Sequence, residues 1–148
     1  MMRKKLGLFK EENKDETLIT ALLSWMQKNK ADYTNTFLSL MKKKFSKDKL
    51  FQDSAFLNWY KQWEERLKQN KKPVELSLNL MKKNNPLIIP RNHKVEEALA
   101  AASINGDLLP MFALHEVLKK PYNYQPKISA YQNLPEPSGQ VYKTFCGT

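Results

Sequence analysis

The side chains best suited to chemistry are scattered along this sequence. The two histidines, His93 and His115, lie outside any His-Glu-x-x-His pattern that would bind zinc. His93 with Glu96 and Glu97 could form a metal site, but we favour a near-surface histidine in the first turn of a helix. The four glycines are widely separated, at Gly7, Gly106, Gly139 and Gly147. Because no Gly-rich phosphate loop or nucleophile–base pair is evident, we predict no catalytic, cofactor-binding or metal-binding residue in this chain.

A short apolar connector bounded by Pro86 and Pro90 is the most distinctive local feature. The residue before a proline is driven toward extended backbone, so Asn85 and Ile89 should be non-helical. Asn92 is then expected to N-cap a helix. Its buried stripe is predicted to contain Val95, Ala98, Leu99 and Ala102.

Arg91 has two interpretations. Its guanidinium fork, beside a helix N-terminus, could hold a carboxylate or a phosphate. Alternatively it pairs with a carboxylate of a neighbouring helix and fixes the connector, which we favour.

The spacing of apolar residues predicts an all-α fold, an irregular bundle of five to six helices. The expected starts are Asp15, Asp32, Asp53 or Ser54, Pro73, Asn92 and Asp107. Residues 1–14 are charged and lack periodicity. In the helix from Pro73 the residues predicted to point inward are Leu76, Leu80 and Met81, and the apolar face of the helix from Asp107 is predicted to contain Met111, Phe112, Leu114, Val117 and Leu118. Gly106 is expected to be a left-handed C-cap. One helix carries an aromatic stripe of Phe56, Trp59, Tyr60, Trp63 and Leu67. Such rings could stack on bases, but large rings at helical spacing are more often core, and we predict core.

The last part of the chain is expected to lack regular structure. Prolines interrupt it at Pro121, Pro126, Pro135 and Pro137. We therefore predict a helical domain over 1–120 and an extended Pro- and Tyr-rich tail over 121–148. The tail includes Cys146, which is the only cysteine.

The net charge of +10 raises nucleic acid as a partner. However, Lys pairs and triplets fall where helices are predicted to end, at 42–44, 71–72, 82–83 and 119–120. Cations there oppose the negative end of the helix dipole, so we favour solvated helix ends and do not expect nucleic acid. No apolar run is long enough to span a bilayer. With one cysteine and no signal-peptide pattern, the expected location is the cytoplasm.

Several motifs follow one another along the chain. They are RKKLGL at 3–8, DYTNTF at 32–37, NPLIIPRNHKVEEAL at 85–99, GD at 106–107, KKPY at 119–122 and YKTFCGT at 142–148. In this order they resemble the C-terminal region of the selenoprotein O (SelO) family. Members of that family are kinase-like proteins that transfer AMP from ATP to hydroxyl side chains of other proteins.

The resemblance implies that catalysis belongs to a part of the polypeptide outside this chain. In the family, the groups that bind ATP and magnesium lie upstream of the matched region, so this chain is expected to be inactive alone. Its implied partners are the kinase-like lobe of the same polypeptide and, for the complete enzyme, substrate proteins. The family also carries a cysteine or selenocysteine near the position of Cys146, which implies a redox role; an inert tail cysteine is equally consistent. The alternative to this family role is a stand-alone basic helical module that binds nucleic acid or an acidic protein.

Overall fold

The computed structural model describes residues 1–42, 45, 49–126 and 128–135. Within these residues all regular secondary structure is helical, which confirms the predicted all-α class. The α-helices are α1 (Met2–Lys5), α2 (Asp15–Lys28), α3 (Tyr33–Lys42), α4 (Ser54–Lys68), α5 (Val74–Asn84), α6 (Asn92–Asn105), α7 (Leu109–Leu118) and α8 (Ile128–Gln132). A 3-10 helix spans Lys49–Gln52. Six of these helices, α2 to α7, have ten or more residues and correspond to the predicted ones.

The chain forms two compact units, Met1–Pro86 (unit 1) and Leu87–Thr148 (unit 2). The division falls inside the proline-bounded connector, whereas the sequence suggested a division after residue 120. Among the described residues, no helix combines the length and the apolar character needed to cross a membrane.

Unit 1 is built around the aromatic stripe of α4. Trp63 and Phe56 are fully buried and Trp59 is nearly so, which confirms the core interpretation. Each buried indole also satisfies its N–H. Trp59 donates to the carbonyl of Leu18 at 2.8 Å, and Trp63 donates to the carbonyl of Leu6 at 2.9 Å. The stripe is therefore fixed by packing and by hydrogen bonds together.

The first residues of unit 1 are more ordered than the sequence suggested. Residues 1–14 were expected to be an aperiodic charged segment, yet α1 lies there and is followed by buried Leu6 and Leu8. Between them, Gly7 adopts a left-handed φ of +75°. The alternation of one small and two apolar residues is too short to produce a helical period, so periodicity missed it.

Asp15 has a different role from the predicted cap. The N-cap of α2 is Lys14, and Asp15 is the first helical residue. Its carboxylate is buried and accepts hydrogen bonds from Arg66 of α4, at 2.6 Å from Nε and 3.2 Å from Nη2. Arg66 also donates to the carbonyl of Lys10 at 2.9 Å. The pair therefore joins α2, α4 and the preceding loop inside the protein.

Unit 2 has a much smaller core. Among the residues of this unit that the structure describes, 87–126 and 128–135, the buried apolar ones are Ile88, Ala98, Leu114, Val117 and Ile128. The helix α8 lies within the predicted tail, so the expectation of a wholly extended segment does not hold at Ile128–Gln132. This stretch, Ile-Ser-Ala-Tyr-Gln, lies between Pro126 and Pro135, and that interval is long enough for one helical turn.

The buried faces also differ from the predicted ones at several positions. Leu76 and Leu99 were expected to point inward, but they are 45% and 50% exposed. Met111 and Phe112 of α7 were expected on its buried face, but they are 36% and 57% exposed. Most of these discrepancies lie in unit 2.

Candidate docking surface

The connector begins in a polar contact within unit 1. Asn85 is 1% exposed and extended, with φ −121° and ψ 111°, as expected for a residue before proline. Its side-chain amide donates to the carbonyls of Lys5 at 2.8 Å and Met81 at 3.0 Å. In return, the Lys5 ammonium donates to the carbonyl of Asn84 at 2.9 Å. Burial lowers the pKa of Lys5. These contacts provide hydrogen-bond partners for the buried side chains of Lys5 and Asn85, so we assign both residues a structural role.

The connector continues as a packed segment of unit 2. The backbone N–H of Leu87 donates to the carbonyl of Pro121 at 2.7 Å, and Gln132 donates to the carbonyl of Leu87 at 2.6 Å. Ile88 is buried in the core of this unit. Pro86 is half-buried and Pro90 is exposed. The predicted apolar connector is therefore packed. Its prolines are not buried in the core, and Pro86 keeps the preceding Asn85 extended.

The predicted N-cap of α6 is shifted by one residue. Arg91 is the N-cap, with extended backbone at φ −89° and ψ 132°, and Asn92 is the first helical residue. Asn92 is exposed, and no side-chain cap bond forms at this helix. Because the backbone of Arg91 is extended, the helix begins directly after it, at Asn92. An anion-binding or ion-pairing role for Arg91 stays a prediction.

The turn between α6 and α7 matches the sequence closely. Gly106 is the C-cap of α6 in the left-handed region, at φ +63°. The N–H of Asp107 donates to the carbonyl of Ala101 at 3.1 Å, and its carboxylate accepts from the N–H of Leu109 at 2.9 Å. Asp107 thus caps the first turn of α7 from one position before the backbone N-cap, Leu108.

Other candidate residues do not assemble into a site. His93 is half-buried and His115 is exposed. No group of three or more His, Cys, Asp or Glu side chains that could hold a metal ion occurs in the described part of the chain. Cys146 lies outside the described residues.

Lysines do lie near helix ends, as predicted. Lys42 is in the last turn of α3, Lys82 and Lys83 are in that of α5, and Lys119 is the C-cap of α7. This placement supports the solvated helix-end interpretation, because each cation opposes a helix dipole.

An exposed apolar surface lies where α6 meets α7, and we call it the tip. Its residues are Ile104 (78% exposed), Leu108 (46%), Leu109 (74%), Met111 (36%) and Phe112 (57%). Leu108 and Phe112 are four residues apart and Leu109 and Phe112 three, so their side chains are neighbours on the helix surface. Contiguous exposed apolar groups of this kind mark interaction sites.

The sequence contained a signal for the tip that periodicity did not use. Residues 98–114 carry one charged side chain, Asp107, although 27% of the whole chain is charged. A stretch of this kind is typical of buried helices, and here much of it is exposed. Charge depletion would have found the tip where helical spacing assigned Met111 and Phe112 to the core.

The family comparison covers most of the chain. The family described as protein adenylyltransferase SelO matches residues 1–119. The chain belongs to the SelO family. The match contains all of α1 to α7, and therefore contains the tip.

Curated relatives are similar over the whole chain. A protein nucleotidyltransferase YdiU from Nitrosococcus oceani is 49% identical over 148 residues, which is 100% of this chain. Proteins of the same name from Clostridium perfringens strain 13 and Bacillus thuringiensis subsp. konkukian are 52% and 50% identical over 147 residues, 99% of this chain. In each case the match spans 30% of the relative. The chain thus corresponds to less than a third of these SelO relatives.

Proposed function

We propose that this chain is a helical, non-catalytic part of a longer SelO-like protein adenylyltransferase, in which it packs against the kinase-like lobe. One observation carries the proposal. The whole of this chain matches relatives named as protein nucleotidyltransferases, but it spans only 30% of their length. Transfer of AMP from ATP to protein hydroxyl groups would then belong to the complete polypeptide.

The residues of the chain support a non-catalytic role. Transfer from a nucleotide requires a lysine on the phosphates, an acidic partner for it, and Asp or Asn ligands for magnesium. The buried Lys5 has no acidic partner among its bonds and donates to Asn84 and Asn85 instead. The buried carboxylate of Asp15 is bonded to Arg66. ATP and magnesium would therefore bind elsewhere in the longer protein.

The order of the motifs supports a position after the catalytic part, at the C-terminal end. The terminal motif around Cys146 supports the redox role that the resemblance implies, with a partner thiol in the remainder of the polypeptide, because this chain contains no second cysteine. Accessibility and thiolate fraction would then control its reactivity.

The first test is the intact mass of the endogenous protein, captured with an antibody raised against this 148-residue region and followed by peptide mapping. We expect a species much heavier than 17.3 kDa, with the additional peptides preceding Met1. Additional peptides that follow Thr148 would overturn the C-terminal placement. A native species of 17.3 kDa would overturn the proposal itself.

The second test is AMP transfer. The longer protein, with ATP and magnesium, should label protein hydroxyl groups, whereas this chain alone should transfer no AMP. Transfer by the 148-residue chain would show that the non-catalytic assignment is wrong.

A basic module for nucleic acid or an acidic protein is the second candidate, favoured by the net charge of +10. Binding to nucleic acid would weaken by orders of magnitude between low and moderate salt, because it releases counterions. Absence of binding to single- or double-stranded DNA or RNA at low salt would exclude its main form.

A further inference from the structure

We propose that the tip, formed by Ile104, Leu108, Leu109, Met111 and Phe112, is the face through which the kinase-like part of the same polypeptide holds this chain. This inference rests on the proposed function and names the surface that the function uses. The occupant is apolar protein surface from the part of the polypeptide outside these 148 residues.

The exposure of the tip is the first argument. Leu109 and Ile104 are 74% and 78% exposed, and Phe112 is 57% exposed. A helix that is apolar on all sides is normally buried on all sides. The helix α7, with the sequence LPMFALHEVL, buries only Leu114 and Val117. Its remaining apolar side chains therefore lack the cover that such a helix usually has.

The absence of charge is the second argument and defines the partner. Between Ala98 and Leu114 the only charged residue is Asp107, and its carboxylate already accepts the N–H of Leu109. Nucleic acid or an acidic protein would require cations at the contact. The centre of a protein–protein interface is instead depleted of charge and enriched in Met and aromatic residues.

The rigidity of the tip is the third argument. Its two helices pack against each other, and Ala98 of α6 and Leu114 of α7 lie in the same buried cluster. The turn between them is fixed by Gly106 in the left-handed region and by both bonds of Asp107. A surface that is already ordered loses little conformational entropy on binding.

The length of the relatives identifies the occupant. The tip lies inside the matched residues, and the relatives have about 70% of their length outside the match, since the match spans 30%. Apart from Met1, the exposed large apolar side chains in the described part of unit 1 are only 37–45% exposed, below the values of Ile104, Leu109 and Phe112. The tip is therefore the surface that a large missing partner would cover.

The experiment compares one double variant in two settings. Leu109→Ser with Phe112→Ser is introduced into the 148-residue chain and into the longer protein. The chain alone should keep its unfolding midpoint, because exposed side chains contribute little. In the longer protein the ratio of folded to unfolded molecules should fall by roughly a hundredfold or more, because two large apolar side chains lose their burial.

A matched control and a measurement without variants complete the test. Leu57→Ser with Leu76→Ser replaces side chains that are 44% and 45% exposed in unit 1, and should lower stability to the same extent in both settings. Hydrogen exchange on the unmodified proteins should show the amides of 104–112 exchanging at least tenfold more slowly in the longer protein.

Three results would overturn the inference. They are equal stability of the tip variant in the longer protein, equal exchange of the tip in both settings, or a dimer of this chain that the tip variant dissociates while the longer protein is unaffected. Each leaves the proposed function intact, because that proposal is tested by different measurements: the existence of a longer species, AMP transfer by that species, and the lack of transfer by this chain alone.

Discussion

Units 1 and 2 use apolar side chains in opposite ways. In unit 1, α4 places its rings in a common core with α2 and the 3-10 helix. Its charged residues Lys61, Glu65 and Lys68 face solvent, and Arg66 is buried against Asp15. In unit 2, the helices α6 and α7 bury three residues between them, Ala98, Leu114 and Val117, and expose the tip. The large apolar side chains of unit 1 therefore pack mainly against one another, whereas α6 and α7 of unit 2 leave several of theirs exposed.

The difference lies in the charge pattern as well as in the hydrophobic pattern. The helix α4 alternates large rings with Lys61, Glu64 and Glu65, so its two faces are distinct. The helix α7 carries apolar residues on all sides and becomes polar only near His115 and Glu116. Amphipathic spacing indicates a helix that buries its apolar face within its own unit. A lack of charged residues indicates a helix that leaves apolar side chains exposed there.

The largest effect is expected in the core of unit 1. Trp63→Ala removes a fully buried indole and its bond to the carbonyl of Leu6. It should lower the free energy of unfolding by about 5 kcal/mol. Urea unfolding followed by the fluorescence of Trp25 and Trp59 measures this in unit 1 alone, because every tryptophan lies there. An unchanged urea midpoint would contradict the finding that Trp63 is packed in the core of unit 1.

The buried ion pair should give the next largest effect. Arg66→Met leaves the carboxylate of Asp15 buried without its partner and should cost about 4 kcal/mol. The double change Asp15→Leu with Arg66→Met should recover at least half of that loss, because no buried charge remains. Fluorescence-detected urea unfolding gives both values. A double variant less stable than Arg66→Met would show that Asp15 stabilises the protein even without Arg66, through the hydrogen bond that it accepts from the N–H of Glu12 at 3.1 Å.

The sequence predicted the fold better than it predicted the surfaces. The long helices, the aromatic core of α4, the extended Asn85 and the turn at Gly106 and Asp107 all follow from local rules of spacing, proline geometry and capping. The Asp15–Arg66 and Lys5–Asn85 contacts join residues 51 and 80 positions apart. No local pattern determines such pairs. The tip was misassigned because helical spacing shows which residues share a face, whereas burial depends on what lies against that face.

Gly7 of unit 1 and Gly106 of unit 2 both adopt left-handed backbone, and substitution by alanine should destabilise the protein more at Gly7. A Cβ at Gly7 would lie 3.0 Å from the backbone oxygen of Ser77 and 3.2 Å from Cγ of Met81. Gly7→Ala therefore combines the strain of a left-handed backbone with a clash that a fixed carbonyl cannot relieve. It should cost about 2–3 kcal/mol in fluorescence-detected urea unfolding. A cost below about 1 kcal/mol would mean that α5 can move away.

Gly106→Ala should have the smallest effect, about 1 kcal/mol, because a Cβ there meets nothing within 4 Å and only the backbone conformation is strained. Gly106→Asn should cost less, because asparagine tolerates this conformation. Unfolding followed by circular dichroism measures both, since unit 2 contains no tryptophan. If Gly106→Ala cost as much as Gly7→Ala in this chain, the turn beside the tip would already be packed, and the contrast between the units would fail. If the cost rose only in the longer protein, the added methyl group would be meeting the partner that covers the tip.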